Sequence, residues 1–294
     1  PQSWTGPMIP CLFVSDLHGR VNRYEALFGS ILEEEPAGVF LGGDLLPSGL
    51  EGLTGQGNLK GDFLRDYLVP AFEEIRLKMG SAYPEVFLIL GNDDPRIEEG
   101  TFLDMARRGL CHYAHGKEIP FRNLRVFGYA YVPPTPFHLK DWERYDVSRY
   151  TPHGSVSPEE GRRSVNVAHQ EVRYSTIKED LDDLAGDGAM DDAVFLFHTP
   201  PFETTLDRAA LDGKSIDHVP LDLNVGSIAV RRFIEGRQPR ITFHGHIHES
   251  PRLTGSWKDR LGSTHMFSAA HDGKELALIR LDLDSPENAE RVLL

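Results

Sequence analysis

The chain has 294 residues, of which 40% are hydrophobic and 26% charged, enough for a sizeable core in one large α/β domain or two small ones. Its 31 basic and 45 acidic residues leave a net charge of −14, which argues against non-specific nucleic-acid binding through a broad basic surface. No run approaches the ~18 consecutive apolar residues of a membrane span.

The opening Pro1-Gln2-Ser3-Trp4-Thr5-Gly6-Pro7 has no basic stretch followed by an apolar core, so no secretory leader is expected. The missing initiator Met points to a few trimmed residues. Pro10 to Val14 forms an apolar run that stops at Asp16. Residues 21–34 then place Val21, Tyr24, Leu27, Phe28, Ile31 and Leu32 at helical spacing. A second run, Gly38 to Leu41, ends at Asp44. A polar, Gly-rich stretch over 47–61 leads into a predicted helix from Phe63 to Met79, and a third run, Val86 to Leu90, ends at Asn92.

The segment from Pro133 to about Arg173 is Pro- and charge-rich with weak periodicity, and reads as a lid-like insertion over a site. Strands are predicted at Ala193–Phe197 and Arg240–Phe243, with a helix from Ser227, its N-cap, between them. Lys274–Leu283 reads as a late strand. Apolar runs alternating with amphipathic helices predict a central sheet with helices on its faces. A single domain over 1–294 is expected. Cys11 and Cys111 lie in apolar contexts and read as buried free thiols of a reducing, cytoplasmic compartment.

Five segments place metal-binding side chains just past such runs: Asp16-Leu17-His18, Gly42-Gly43-Asp44, Gly91-Asn92-Asp93-Asp94, His198, and Gly245-His246-Ile247-His248. Together Asp16, His18, Asp44, Asn92, His198, His246 and His248 offer carboxylate, amide oxygen and imidazole, a donor set for two divalent ions. Mn2+ is the expected ion, with Fe, Zn, Ni and Co as alternatives, and the lack of a Cys cluster argues against structural zinc. Two ions about 3.5–4 Å apart can clamp a phosphoryl group and activate a water, so the pattern reads as a hydrolase of phosphate esters.

In order and spacing these segments resemble the calcineurin-like metallophosphoesterases, whose signature runs D-x-H, G-D, G-N-H-D/E, H, G-H-x-H. The likeness spans roughly residues 11–283, and His198-Thr199-Pro200-Pro201-Phe202 through Gly245-His246-Ile247-His248 looks like the microbial single-domain branch. The resemblance implies a four-layer α/β sandwich, two mixed sheets flanked by helices, with the metal site at the carboxyl ends of the strands. It also implies that Asp16, His18 and His248 hold one metal, that Asn92, His198 and His246 hold the other, and that Asp44 bridges them. A hydroxide between the ions would then attack phosphorus in line with the leaving oxygen.

One position departs from the signature: Asp93 stands where the family carries a His that contacts phosphate and protonates the leaving group. An ordinary Asp is ionised at neutral pH. Asp93 is therefore kept protonated by burial, or points away, or the reaction runs without a general acid. Relatives without this His tend toward phosphodiesters. Asp94 is expected to orient a ligand His, so Asn92, Asp93 and Asp94 are the catalytic candidates. Asn92 and Arg20 are the candidates for substrate contact, with Arg96 at the rim.

Of the other histidines, His112, His138, His169, His218, His265 and His271 read as surface or core residues. Lys140-Asp141-Trp142-Glu143-Arg144 reads either as a substrate-facing lid or as an exposed charged loop. The leading expectation is a phosphodiesterase for a small phosphorylated substrate or nucleotide. A nucleotide pyrophosphohydrolase and a non-catalytic scaffold for a partner protein are the alternatives. No membrane partner is expected, and a homo-oligomer stays open.

Overall fold

The computed structural model describes residues 8–48 and 62–294. The opening heptapeptide and most of the Gly-rich stretch at 47–61 lie outside the described residues. In chain order the strands are β1 (Pro10–Val14), β2 (Gly38–Gly42), β3 (Glu85–Ile89), β4 (His112–Tyr113), β5 (Lys117–Phe121), β6 (Leu124–Tyr129) and β7 (Ala193–Phe197). They continue as β8 (Ser215–Ile216), β9 (Val219–Pro220), β10 (Ile241–His244), β11 (Lys258–Leu261), β12 (Thr264–Ser268), β13 (Ala277–Asp282) and β14 (Glu290–Leu293).

Two six-stranded sheets result, ordered β14-β13-β1-β2-β3-β4 and β11-β12-β10-β7-β6-β5, with β8 and β9 forming a separate hairpin. Both are mixed. In the first, β1 to β4 run parallel and β13 joins β1 antiparallel. In the second, β12, β10, β7 and β6 run parallel, and β11 and β5 close the edges antiparallel. Every residue of β2 and β7 is buried, as strands covered on both faces require.

The sheets meet through aromatic side chains. Phe13 of β1 stacks on Phe243 of β10 at 4.5 Å, Phe40 lies 4.9 Å from the same ring, and Phe87 meets Phe121 at 5.0 Å. On the outer side of the first sheet, helix Val21–Glu34 buries Tyr24, Leu27, Phe28 and Ile31, and Phe28 packs edge-on against Phe72 at 5.3 Å. On the other, Phe233 of helix Ile228–Arg237 packs on Phe195 of β7 at 4.9 Å. The four layers implied by the family resemblance are all present.

The helix predicted over 63–79 starts as a π-helical turn, Phe63–Leu68, before the α-helix Val69–Met79. Pro70, with no amide proton to donate, sits at the change in winding. Ser227 caps helix Ile228–Arg237 as predicted, its hydroxyl accepting from Val230 N at 3.0 Å. No helix among the described residues is long and apolar enough to cross a membrane. Cys11 and Cys111 are buried free thiols.

The 140–144 segment is not an exposed loop. Lys140, Asp141, Trp142 and Glu143 are all buried, and Lys140 Nζ pairs with the Glu143 carboxylate where both side chains are fully covered. Three pins tie the 133–173 segment to the body. Asp141 accepts the Arg96 N–H at 2.8 Å. Asp146 accepts from Ser227 Oγ at 2.5 Å and from Ile228 N at 2.7 Å. Ile177 N donates to Tyr145 O at 2.8 Å.

Candidate metal centre

Each predicted donor lies on the turn past the carboxyl end of a central strand: Asp16 and His18 after β1, Asp44 after β2, Asn92 after β3, His198 after β7, His246 and His248 after β10. The backbone bends sharply there. Asp16, His18, Asp44 and His246 have φ of 57°, 49°, 52° and 72°, sparsely populated values costing roughly 1–3 kcal/mol each. Cross-strand bonds hold them: Asp16 N donates to Gly43 O at 2.9 Å, and His18 N to Asp44 O at 2.8 Å. Gly91 leaves room for this convergence, because a Cβ there would lie 2.3 Å from Asp44 Oδ1 and 2.4 Å from Asp44 N.

The side chains converge in two groups sharing Asp44: Asp16, His18, Asp44 and His248, and Asp44, His198 and His246, with the donor atoms of each group within 4.8 Å of one another. His18 Nε2 is 3.1 Å from His248 Nε2, which is 3.3 Å from Asp16 Oδ1. In the second group, His198 Nε2 is 3.1 Å from Asn92 Oδ1 and 3.3 Å from Asp44 Oδ2. His198 Nδ1 lies 2.7 Å from the Gly42 carbonyl, which can only accept, so that nitrogen carries the proton. In the neutral ring Nε2 is then a lone pair facing two oxygen acceptors. Lone pairs pointed at lone pairs in a buried site call for a cation between them, so the donor set fits a metal.

Electrostatics agree. Burial opposes charge on His198, yet the Asp44 carboxylate beside it lifts its pKa to about 10, so without a metal a proton fills the cation's role. Burial raises Asp44, but the charge and hydrogen bond of His198 bring it to about 2. Asp16, also buried, is held well below the usual carboxylate range by His248.

Asp93 turns toward the group rather than away: its carboxylate is 3.7 Å from His18 Nδ1, and its amide donates to Asp44 Oδ1 at 2.8 Å. Burial and then the Asp44 charge raise its pKa to about 6. Asp94 departs from the expectation. Its carboxylate does not bond a ligand His but accepts three backbone N–H groups, from Leu45 at 3.0 Å, Leu46 at 2.8 Å and Gly91 at 2.9 Å. It thereby locks the turn after β2 to the turn after β3, because amides left over at two strand ends need an acceptor. Arg20 Nη1 donates to Gly273 O at 3.1 Å, and the Arg96 guanidinium bonds Tyr131 Oη at 3.1 Å.

Sequence reasoning missed several supports. Arg23 is buried and donates to the carbonyls of Asp16 and, at 2.7 Å, of Gly273. Buried His244 joins Thr242 Oγ1 at 2.7 Å to the Thr199 carbonyl at 2.9 Å, fixing the loop that carries His198. No spacing signal marks either, since their partners are mostly backbone atoms distant in sequence. A cavity of about 410 Å³ is lined by Arg96, His115, Tyr129, Tyr131, Arg144 and Asp180 among others. Its arginines are already engaged, Arg144 with Asp180 and Glu171, Arg96 with Glu99.

A sandwich of two mixed sheets with two cation-ready donor groups at its strand ends defines a metal-dependent phosphoesterase class. The calcineurin-like phosphoesterase family profile matches residues 9–250, and the chain belongs to that family. One solved crystal structure superposes with a TM-score of 0.60 at 15% identity, covering 97% of this chain and 99% of its own. The crystal structure of TT1561 of Thermus thermophilus gives 0.53 at 15% identity, with the same coverage. At such identities both speak for the fold alone. No curated protein matches the chain.

Proposed function

We propose that the chain is a dinuclear phosphodiesterase acting on a small soluble diester or nucleotide, with Mn2+ as its working ion. The observation that supports this most is Asp44, one carboxylate shared by both donor groups. In this reading Asp16, His18 and His248 hold one ion, Asn92, His198 and His246 the other, and Asp44 both. When bound, the ions would stabilise charge on the phosphoryl oxygens and acidify an attacking water. The chain's own residues do the rest. Gly42 fixes the His198 tautomer, Asp94 locks two ligand turns together, and Asn92 adds an oxygen donor without adding charge. Arg20, which donates to the Gly273 carbonyl, is the candidate cation for the substrate phosphate, whereas Arg96 is held by Glu99 and Tyr131. In this reading the 133–173 segment, pinned by Asp141 and Asp146, serves as a lid. Buried free thiols suit a reducing cytosol.

Asp93 in place of a basic His favours substrates whose leaving group needs little protonation. That also supports a second reading, a nucleotide pyrophosphohydrolase. A metal-resolved screen over aryl phosphodiesters, cyclic nucleotides, dinucleoside polyphosphates and monoesters tests both. We expect Mn2+-dependent diester hydrolysis that is lost in His198→Ala and Asp44→Asn. Tight metal uptake without turnover on any substrate would point to a partner-binding scaffold instead.

A further inference from the structure

We propose that Asp93 is the positioning residue of His18: its carboxylate takes the Nδ1 hydrogen of the imidazole and so leaves Nε2 as the donor to a cation. The proposal rests on the donor set assigned above and gives Asp93 a task separate from any proton transfer to a leaving group.

The geometry divides the His18 ring into two sides. Nε2 faces the donor group, 3.1 Å from His248 Nε2 and 3.9 Å from Asp44 Oδ2. Nδ1 faces Asp93 Oδ2 at 3.7 Å, with the His18 side chain only 10% exposed. A neutral imidazole carries one proton, so a ring that gives Nε2 to a cation must hold that proton on Nδ1. A nearly buried N–H needs an acceptor, and Asp93 is the carboxylate set against it. Roughly half an ångström of side-chain rotation brings 3.7 Å to hydrogen-bond length, a common slack in sites not yet engaged.

The second donor group follows the same plan, since His198 gives its Nδ1 hydrogen to the Gly42 carbonyl at 2.7 Å. His18, on a left-handed turn with φ of 49°, has a side-chain carboxylate in that place instead. Asp93 is itself anchored through its amide to Asp44 Oδ1 at 2.8 Å. Its side chain is 33% exposed. Carboxylates that accept from the far nitrogen of a ligand His orient the ring and raise its basicity, and losing one typically weakens metal binding ~10–100-fold.

The test is Mn2+ binding to metal-free protein, by calorimetry or competition with a chelating dye, for the wild type, Asp93→Ala and Asp93→Asn. We expect two sites in the wild type. In Asp93→Ala one site should weaken ~10–100-fold while the other is unchanged. Asp93→Asn, whose amide oxygen still accepts from Nδ1, should return to within a few-fold of the wild type. A residue acting only as an acid would leave Mn2+ binding alone in both variants and slow only substrates with poor leaving groups. Wild-type affinity at both sites in Asp93→Ala therefore overturns the proposal while leaving the phosphoesterase reading standing. A wild-type protein that takes up no Mn2+ overturns the donor set, and this role with it.

Discussion

Replacing Gly91 by Ala tests whether the turns after β2 and β3 must touch. The added Cβ would sit 2.3 Å from Asp44 Oδ1, 2.4 Å from Asp44 N and 2.7 Å from His198 Cε1. Ordinary contact for such a carbon begins near 3.4 Å, so the two turns must part by about 1 Å. The Asp44 N contact is with backbone, which a rotamer change cannot relieve. Overpacking of this kind costs about 1–3 kcal/mol of stability. A displacement near 1 Å between Asp44 and Asn92 should also cost on the order of 10²-fold in turnover. Gly100, in helix Glu99–Arg107, is the control, since a Cβ there meets nothing within 4 Å. Urea unfolding and Mn2+-dependent hydrolysis of an aryl phosphodiester read both quantities. Gly91→Ala with wild-type stability and wild-type turnover would refute the claim that close contact of these turns builds the site.

Lys140→Met should destabilise the fold by about 3–5 kcal/mol by leaving Glu143 buried without its partner, and Lys140→Met with Glu143→Leu should recover most of it, as urea unfolding will show. For His115, whose pKa burial lowers to about 3, the neutral ring is favoured in the fold. Its contribution is intact above the unfolded value of about 6.5 and is lost as pH falls toward 3. His115→Gln should remove up to one proton from that slope, about 1.4 kcal/mol per pH unit, in unfolding measured across the same window. Adding Mn2+ to metal-free protein should raise the melting temperature, with about 2.7 kcal/mol per site at a free ion concentration of 100 Kd. His198→Ala should abolish one site's share.

What the sequence made legible followed from burial. β1, β2, β3 and β7 are covered on both faces, so they read as unbroken apolar runs and their ends could be placed within a residue or so. β5 and β12 were not singled out: β5 is an edge strand, largely open to solvent and broken by Pro120, and β12 mixes Thr264 and His265 with its apolar residues. β6 carries Arg125, which leaves the strand to pair with Asp192, and Gly128. The division into two sheets depends on strand order, which no local pattern encodes. The seven candidate donors were readable because each follows a strand end. Asp94 was placed in the site but given the wrong partner, because the groups it binds are backbone amides without a sequence mark. The charges of 140–144 read equally as a lid or an exposed loop, whereas Lys140 finds Glu143 and Arg144 finds Asp180 at the sites they enter.

A phosphoesterase of this design requires two cations between these side chains. Anomalous diffraction from crystals of the protein grown with Mn2+ measures that directly. It should show two peaks about 3.5–4 Å apart, with Asp44 reaching both, Asp16, His18 and His248 around one, and Asn92, His198 and His246 around the other. A single peak, or ions seated away from Asp44, would contradict it.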